Sequence, residues 1–211
     1  MKRTLLVVLF LVFSASARAD TVFTNFGSPG QTYYSSGSGS GYLIGQFFGW
    51  NDVIASPFVT SETATLTDVM LAVNGYGSLT TVYVESDIGG APGTILDTLT
   101  TLGAIGGFGT PSILTYSCSA CPQLAGGTEY FLVAGVASGG DKNWELSNND
   151  TGTYYLNDSG TSTGPWEGIS GTIPAFEVDG TPISTPEPST LLLLSGGLIG
   201  LGFVKRKVFQ S

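Results

Sequence analysis

No histidine occurs among the 211 residues, and that absence removes several chemistries at once. Ser-His-Asp triads, Cys-His pairs and histidine-ligated zinc all need an imidazole as base or ligand. Positive charge is almost as scarce. Lys2, Arg3, Arg18, Lys205, Arg206 and Lys207 sit at the two ends, so Asp20 to Thr190 holds all 16 acidic residues and a single basic one, Lys142, for a net charge of −15. Phosphate backbones and anionic lipid surfaces are bound through Lys and Arg, so nucleic acid is not an expected partner. Charge of this size keeps an exported protein dispersed, and its field admits cations, basic surfaces and neutral glycans.

Helical periodicity is missing too. Nowhere between the ends do apolar residues recur at helical spacing over a dozen positions without Gly, Pro or a β-branched cluster intervening. Instead, strand-like runs rich in Val, Ile, Thr, Tyr and Phe follow one another between turn residues: TVFTNF from Thr21, YLIGQFF from Tyr42, DVIASPFV from Asp52, ATLTDVMLAV from Ala64 and TTVYVES from Thr80. TILDTLT, SILTYS, TEYFLVAGV, NWELS, TYYLN and PAFEV continue the series from Thr94 to Val178. In TTVYVES the alternation puts Val82 and Val84 on one face and Thr81, Tyr83 and Glu85 on the other, the pattern of a half-buried strand. In EYFLVAGV both faces are apolar, which predicts a central strand covered on both sides. The expected fold is all-β: a two-sheet antiparallel β-sandwich, jelly-roll-like, of about 170 residues in one domain. It is flanked by an N-terminal signal helix and a short C-terminal transmembrane helix. SPGQTYYSSGSGSG and the glycine clusters at 103–109 and 135–140 read as loops.

The N-terminus has a charged start, Met1-Lys2-Arg3, the apolar run LLVVLFLVF, and Ala17-Arg18-Ala19 ahead of Asp20. Those three parts make a secretory signal peptide over residues 1–19, with Ala17 and Ala19 as the small residues of the cleavage site and export by the Sec route. The body is then 20–183, and 184–211 forms the C-terminal segment.

Within the body, Cys118-Ser-Ala-Cys121 sits between strand patterns rather than at a helix start, and no further Cys or His completes a zinc site. It predicts a structural disulfide, worth only about 1.9 kcal/mol by loop closure. Glu62, Glu85, Glu129, Glu145, Glu167 and Glu177 could supply a carboxylate pair for glycan hydrolysis, yet so acidic a chain makes some pairing unavoidable. GGDKNWELSNND gathers Asp141, Asn143, Glu145, Asn149 and Asp150, oxygen donors that suit calcium but lack the regular spacing of a calcium loop. No cofactor is expected beyond that one ion. Trp50, Trp144 and Trp166, with Tyr33, Tyr34, Tyr154 and Tyr155, are core aromatics or a sugar-stacking platform. GSGSGYLIG and GAIGGFG graze a dinucleotide loop, but no βαβ unit follows. Asn149-Asp150-Thr151 and Asn157-Asp158-Ser159 are glycosylation sequons.

From Leu191 to Val204 run 14 uncharged residues, which as a helix reach about 21 Å against a hydrocarbon core near 30 Å. Four glycines weaken that helix, and Lys205, Arg206 and Lys207 fix its orientation as a cytoplasmic basic anchor. Such a span suits transient insertion in the inner membrane better than permanent anchoring. Pro186-Glu187-Pro188-Ser189-Thr190, the leucine-rich span and the basic end together resemble the PEP-CTERM sorting signal. The resemblance implies that Pro186, Glu187 and Pro188 are recognised by an exosortase in the inner membrane of a Gram-negative bacterium that makes exopolysaccharide, and that the signal is removed during export. The body resembles the choice-of-anchor domains, type R, in TVFTNFG, ASPFVTSETATLTDVMLAV, LAGGTEYFLVAGV, DKNWELSNND and PAFEVDG. The expectation is a noncatalytic protein sorted to the cell surface or extracellular matrix, with a role in matrix or biofilm structure and exopolysaccharide as a partner. The alternatives are a carbohydrate-binding module, calcium-assisted, using Trp144 or Trp166, and a glycan hydrolase.

Overall fold

The structure is a computed structural model that describes residues 19–27, 32–33, 41–47, 50–76, 80–136 and 142–183. The expected signal helix and C-terminal helix, with Ala17, Pro186, Glu187, Pro188, Lys205, Arg206 and Lys207, lie outside the described residues. Among those described there are twelve strands and no helix, and hence none long and apolar enough to cross a membrane. In chain order they are β1 (Asp20–Thr24), β2 (Gly41–Phe47), β3 (Trp50–Val59), β4 (Ala64–Gly75), β5 (Thr80–Asp87), β6 (Pro92–Leu99), β7 (Ser112–Ser117), β8 (Gln123–Leu124), β9 (Glu129–Val136), β10 (Lys142–Asn157), β11 (Glu167–Pro174) and β12 (Phe176–Pro182).

Every strand pairing is antiparallel, and hydrogen bonds link all twelve strands into one sheet, along β1-β12-β4-β10-β2-β3-β9-β5-β6. β7 and β8 add to β4, and β11 adds to β10, which also pairs with β3. Two flanks follow from this path. One is built on β4 and β12, the other on β3, β9 and β5, and both send side chains into a single core. Leu71, Val73, Phe176 and Val178 come from the first; Ile54, Phe58, Val82, Val84 and Leu132 come from the second.

β10 belongs to both flanks. Its first residues pair with β4 and β2, as Trp144 does with Val73 and Tyr42; its last pair with β11 and β3, as Leu156 does with Glu167 and Ile54. Between them, Leu146 to Thr151 makes five steps against two on β11, from Pro174 to Thr172. Ser147 stabilises the excursion: its Oγ accepts from the Asp150 N–H at 3.0 Å and donates to the Asp150 carbonyl at 3.1 Å. A local side-chain partner of this kind replaces the ladder hydrogen bonds that a bulge gives up.

β9 is central, as its two apolar faces predicted. Tyr130, Leu132 and Ala134 enter the main core, while Phe131 and Val133 join Val53 and Ala55 in a second cluster covered by Tyr83, Tyr155 and Trp166. That second layer changes the status of Glu85. Alternation placed it on a solvent face, but it is 0% exposed, and neither carboxylate oxygen has a hydrogen-bond partner. Burial pushes its pKa up to about 7 from an ordinary 4.5.

A group that titrates higher when folded contributes stability in full below its unfolded pKa and loses it as pH rises through the folded one. Between pH 4.5 and about 7 the protein should therefore lose stability that Glu85 supplies in its protonated form. Glu85→Gln should leave the acid side nearly unchanged and stabilise the protein above pH 7 by about 1–3 kcal/mol, read from urea midpoints at several pH values. Equal midpoints for the two proteins at pH 8 would refute the assignment.

Candidate functional site

The β10–β11 connection builds a cleft of about 490 Å³ between Leu156, Asn157, Asp158 and Ser159 on one side and Pro165, Trp166 and Glu167 on the other. Its shape is set by Asn157. The side chain is 2% exposed; its Nδ2 donates to the Thr161 carbonyl at 2.7 Å, and its Oδ1 accepts from Ser159 N–H at 2.8 Å and Ser159 Oγ at 2.6 Å. These are Asx-turn bonds, which fold the loop back on itself. The sequon at Asn157 is thus committed internally, and its amide is not presented for modification. Gly160 is required where it stands, because its φ is +72° and a Cβ would lie 2.0 Å from Asn51 Nδ2. Asn51 in turn bridges to Ser159, tying the loop to the start of β3.

Trp166 rests on the second cluster, leaving part of its ring at the cleft, while its Nε1 is buried without a hydrogen-bond partner. Asp158 and Glu167 are exposed at the rim. Asp52 lies close by in electrostatic terms: burial, then the Asp158 charge, raises its carboxyl above the ordinary range. An indole face with carboxylate acceptors around it can stack on an apolar ring face and accept hydroxyl hydrogen bonds. Asp158→Asn should lower the Asp52 titration midpoint, measured by carboxyl NMR against pH; an unmoved midpoint would show that the two charges do not interact.

Trp144 is not part of any platform. It is 0% exposed in the main core, and its Nε1 donates to the Ala175 carbonyl at 3.0 Å. Tyr154 is buried as well, stacked on Tyr42 with ring centroids 4.0 Å apart. The stretch expected to gather calcium donors is divided. Asn143 and Glu145 are buried on one face of β10, Asp150 is exposed in the bulge, and Asp141 lies outside the described residues. Sequence reading missed Asn74 of β4, which stands opposite Asn143 and donates to Glu145 Oε1. Asn74 Oδ1 and Asn143 Oδ1 have no hydrogen-bond partner among the described residues. Among the described residues no three Cys, Asp or Glu side chains are placed to hold a metal ion.

Three of the six glutamates share one end of β9: Glu129 pairs with Val59, three residues before Glu62, and Glu85 pairs with Phe131, two residues from Glu129. Glu145 is in β10, Glu167 at the cleft and Glu177 on β12.

Cys118 and Cys121 form a disulfide. The four-residue loop closes over Asp97 of β6, which sequence reading also missed. Its carboxylate accepts from the backbone N–H of Ser119, Ala120 and Cys121 at 3.0–3.1 Å and from Ser119 Oγ at 2.6 Å. Burial works to raise the Asp97 pKa, but these hydrogen bonds outweigh it and hold the carboxyl below its ordinary value. Its contribution is present above pH 3.8 and is lost as pH falls through the lower folded value. Asp97→Ala should cost about 1–3 kcal/mol in urea unfolding and speed thiol release by dithiothreitol. Unchanged reduction kinetics would mean that the carboxylate does not hold the loop.

Residues 184–207 match the PEP-CTERM protein-sorting motif. The motif implies an exported protein that is processed by exosortase, a membrane enzyme, and sorted to the cell surface. No curated protein and no solved structure matches the chain. The motif match does not extend into residues 20–183, and no comparison links the body to choice-of-anchor domains.

Proposed function

We propose that the protein is a noncatalytic β-module of two-layer, sandwich-like form, exported by the Sec route and delivered by exosortase processing to the surface and extracellular matrix, where it contributes to matrix or biofilm structure. The observation that carries this reading is the sorting motif beginning at residue 184, directly after the last strand ends at Pro182. The acidic body turns its single basic side chain, Lys142, to the interior. That favours passive presentation of a dispersed, charged module. Exopolysaccharide is the partner this reading implies.

A carbohydrate-binding module assisted by calcium is the second reading. It is supported by the cleft beside Trp166, and by the buried oxygens of Asn74, Asn143 and Glu145 on the same body. Calorimetry with the host polysaccharide would separate the two: binding that Trp166→Ala abolishes favours the module, and silence from both proteins removes it. A calcium-dependent rise in melting temperature that Asn143→Ala abolishes would implicate the ion.

For sorting, Glu187→Ala should leave the protein with the membrane fraction and uncleaved, whereas the wild-type surface form should lack Phe209 to Ser211 by mass spectrometry of its C-terminus. Wild-type protein that reaches the surface with those residues intact would disprove processing.

A further inference from the structure

β1 and β12 are antiparallel neighbours, with Asp20 opposite Gly180, so the chain enters and leaves the body at one end. The last anchored residue is there too: Ile183 N–H donates to the Thr63 carbonyl at 2.9 Å. The β3–β4 loop completes this pole, since Ser61 N–H donates to the Val22 carbonyl and Gly127 N–H to Thr60. Beyond Ile183, Leu191 opens the apolar run, within at most about 28 Å of extended chain.

The cleft lies at the other end. From Val59, beside the pole, β3 runs back about 26 Å to Asn51, which bridges to Ser159. The route through the other flank agrees. β4 leads from Ala64, opposite Pro182, to Gly75, opposite Lys142; Lys142 pairs with Ile44, and the next residue, Gly45, pairs with Asp52.

A second observation bears on how the body rests. On the outside of β1, β12 and β4, the Asp179 carboxyl is raised by burial, lowered by a hydrogen bond from Thr21, and raised again by Glu177, Asp68 and Asp20. Like charges on adjacent strands make this face acidic close to the pole, and anionic headgroups repel it within a Debye length of about 10 Å, so the apolar segment and not charge must hold the pole to the membrane.

We propose that the membrane-attached protein stands on the Asp20–Pro182 pole, tethered there by the segment that follows, and presents the Trp166 cleft away from the bilayer. The inference rests on the sorting reading, in which residues 184–207 bring the chain to a membrane. It means that the cleft is free to meet extracellular material while the processing enzyme works on the opposite pole.

The test uses the full chain in two variants, Glu62→Cys at the pole and Asp158→Cys at the cleft, each labelled with a fluorophore after the native disulfide has formed. Both are exposed positions. Each protein is mixed with phosphatidylcholine–phosphatidylglycerol vesicles carrying a headgroup-attached quencher, floated on a gradient and read. The expected result is loss of most fluorescence at position 62 and none at position 158. Equal quenching at both, or greater quenching at 158, would overturn the orientation while leaving the sorting reading standing. A chain that does not float with vesicles would instead overturn the membrane step on which the inference rests. Matching melting temperatures for the two variants and the parent establish that the readings come from the folded body.

Discussion

The hydrogen bonds that converge on Pro174, Ala175 and Phe176 join the two flanks of the body. At this point the chain leaves β11 on one flank and enters β12 on the other, and β10 crosses between the same flanks alongside. Ala175 N–H donates to the Glu145 carbonyl, and its own carbonyl accepts from Trp144 Nε1. Asn25 closes the junction from β1's side, donating to the Pro174 carbonyl and accepting from the Phe176 N–H, both at 2.7 Å. All of these groups are buried, so each bond satisfies a polar atom that would otherwise cost about 1–3 kcal/mol to leave unpaired. The main core draws on both flanks across this crossing.

Local chemistry was legible wherever one strand carried its own pattern. β9 shows two apolar faces because it is covered on both, and β5 alternates because Val82 and Val84 point to the main core. What could not be read was set by partners remote in sequence. SNNDTG looks like a turn between two strands, yet it lies within β10, because Ser147 satisfies Asp150 locally and the pairing resumes at Thr151. EGISGTIP has too few large apolar residues to signal a strand, but it becomes β11 because the last half of β10 offers it a ladder. The fates of Trp144 and Trp166 divide for the same reason: the first faces the crossing, the second caps an outer layer. Of the site, Trp166, Glu167, the Asn157-Asp158-Ser159 sequon and the cysteine pair stood out in the sequence, though not that the first three meet in one cleft. Asp97 and Asn74 act through segments 20 or more residues away, and no spacing in the sequence marks them.

Function and fold are written in different parts of this chain. The sorting motif occupies residues 184–207 and decides where the protein goes. The body decides what arrives there: an acidic β-domain whose single lysine is enclosed and whose described surface therefore shows no positive side chain. Such a surface cannot cling to anionic lipid by charge once the apolar segment is gone.

β12 lies between β1 and β4, with antiparallel ladders on both sides. A tether drawn from Pro182 pulls along the axis of that strand. The load falls on both ladders in shear, so their bonds must fail together instead of opening one after another from an edge. Under flow or traction on the distal end, the mechanical strength of the attachment is that of an interior strand, and the domain should hold its shape until the whole register slips.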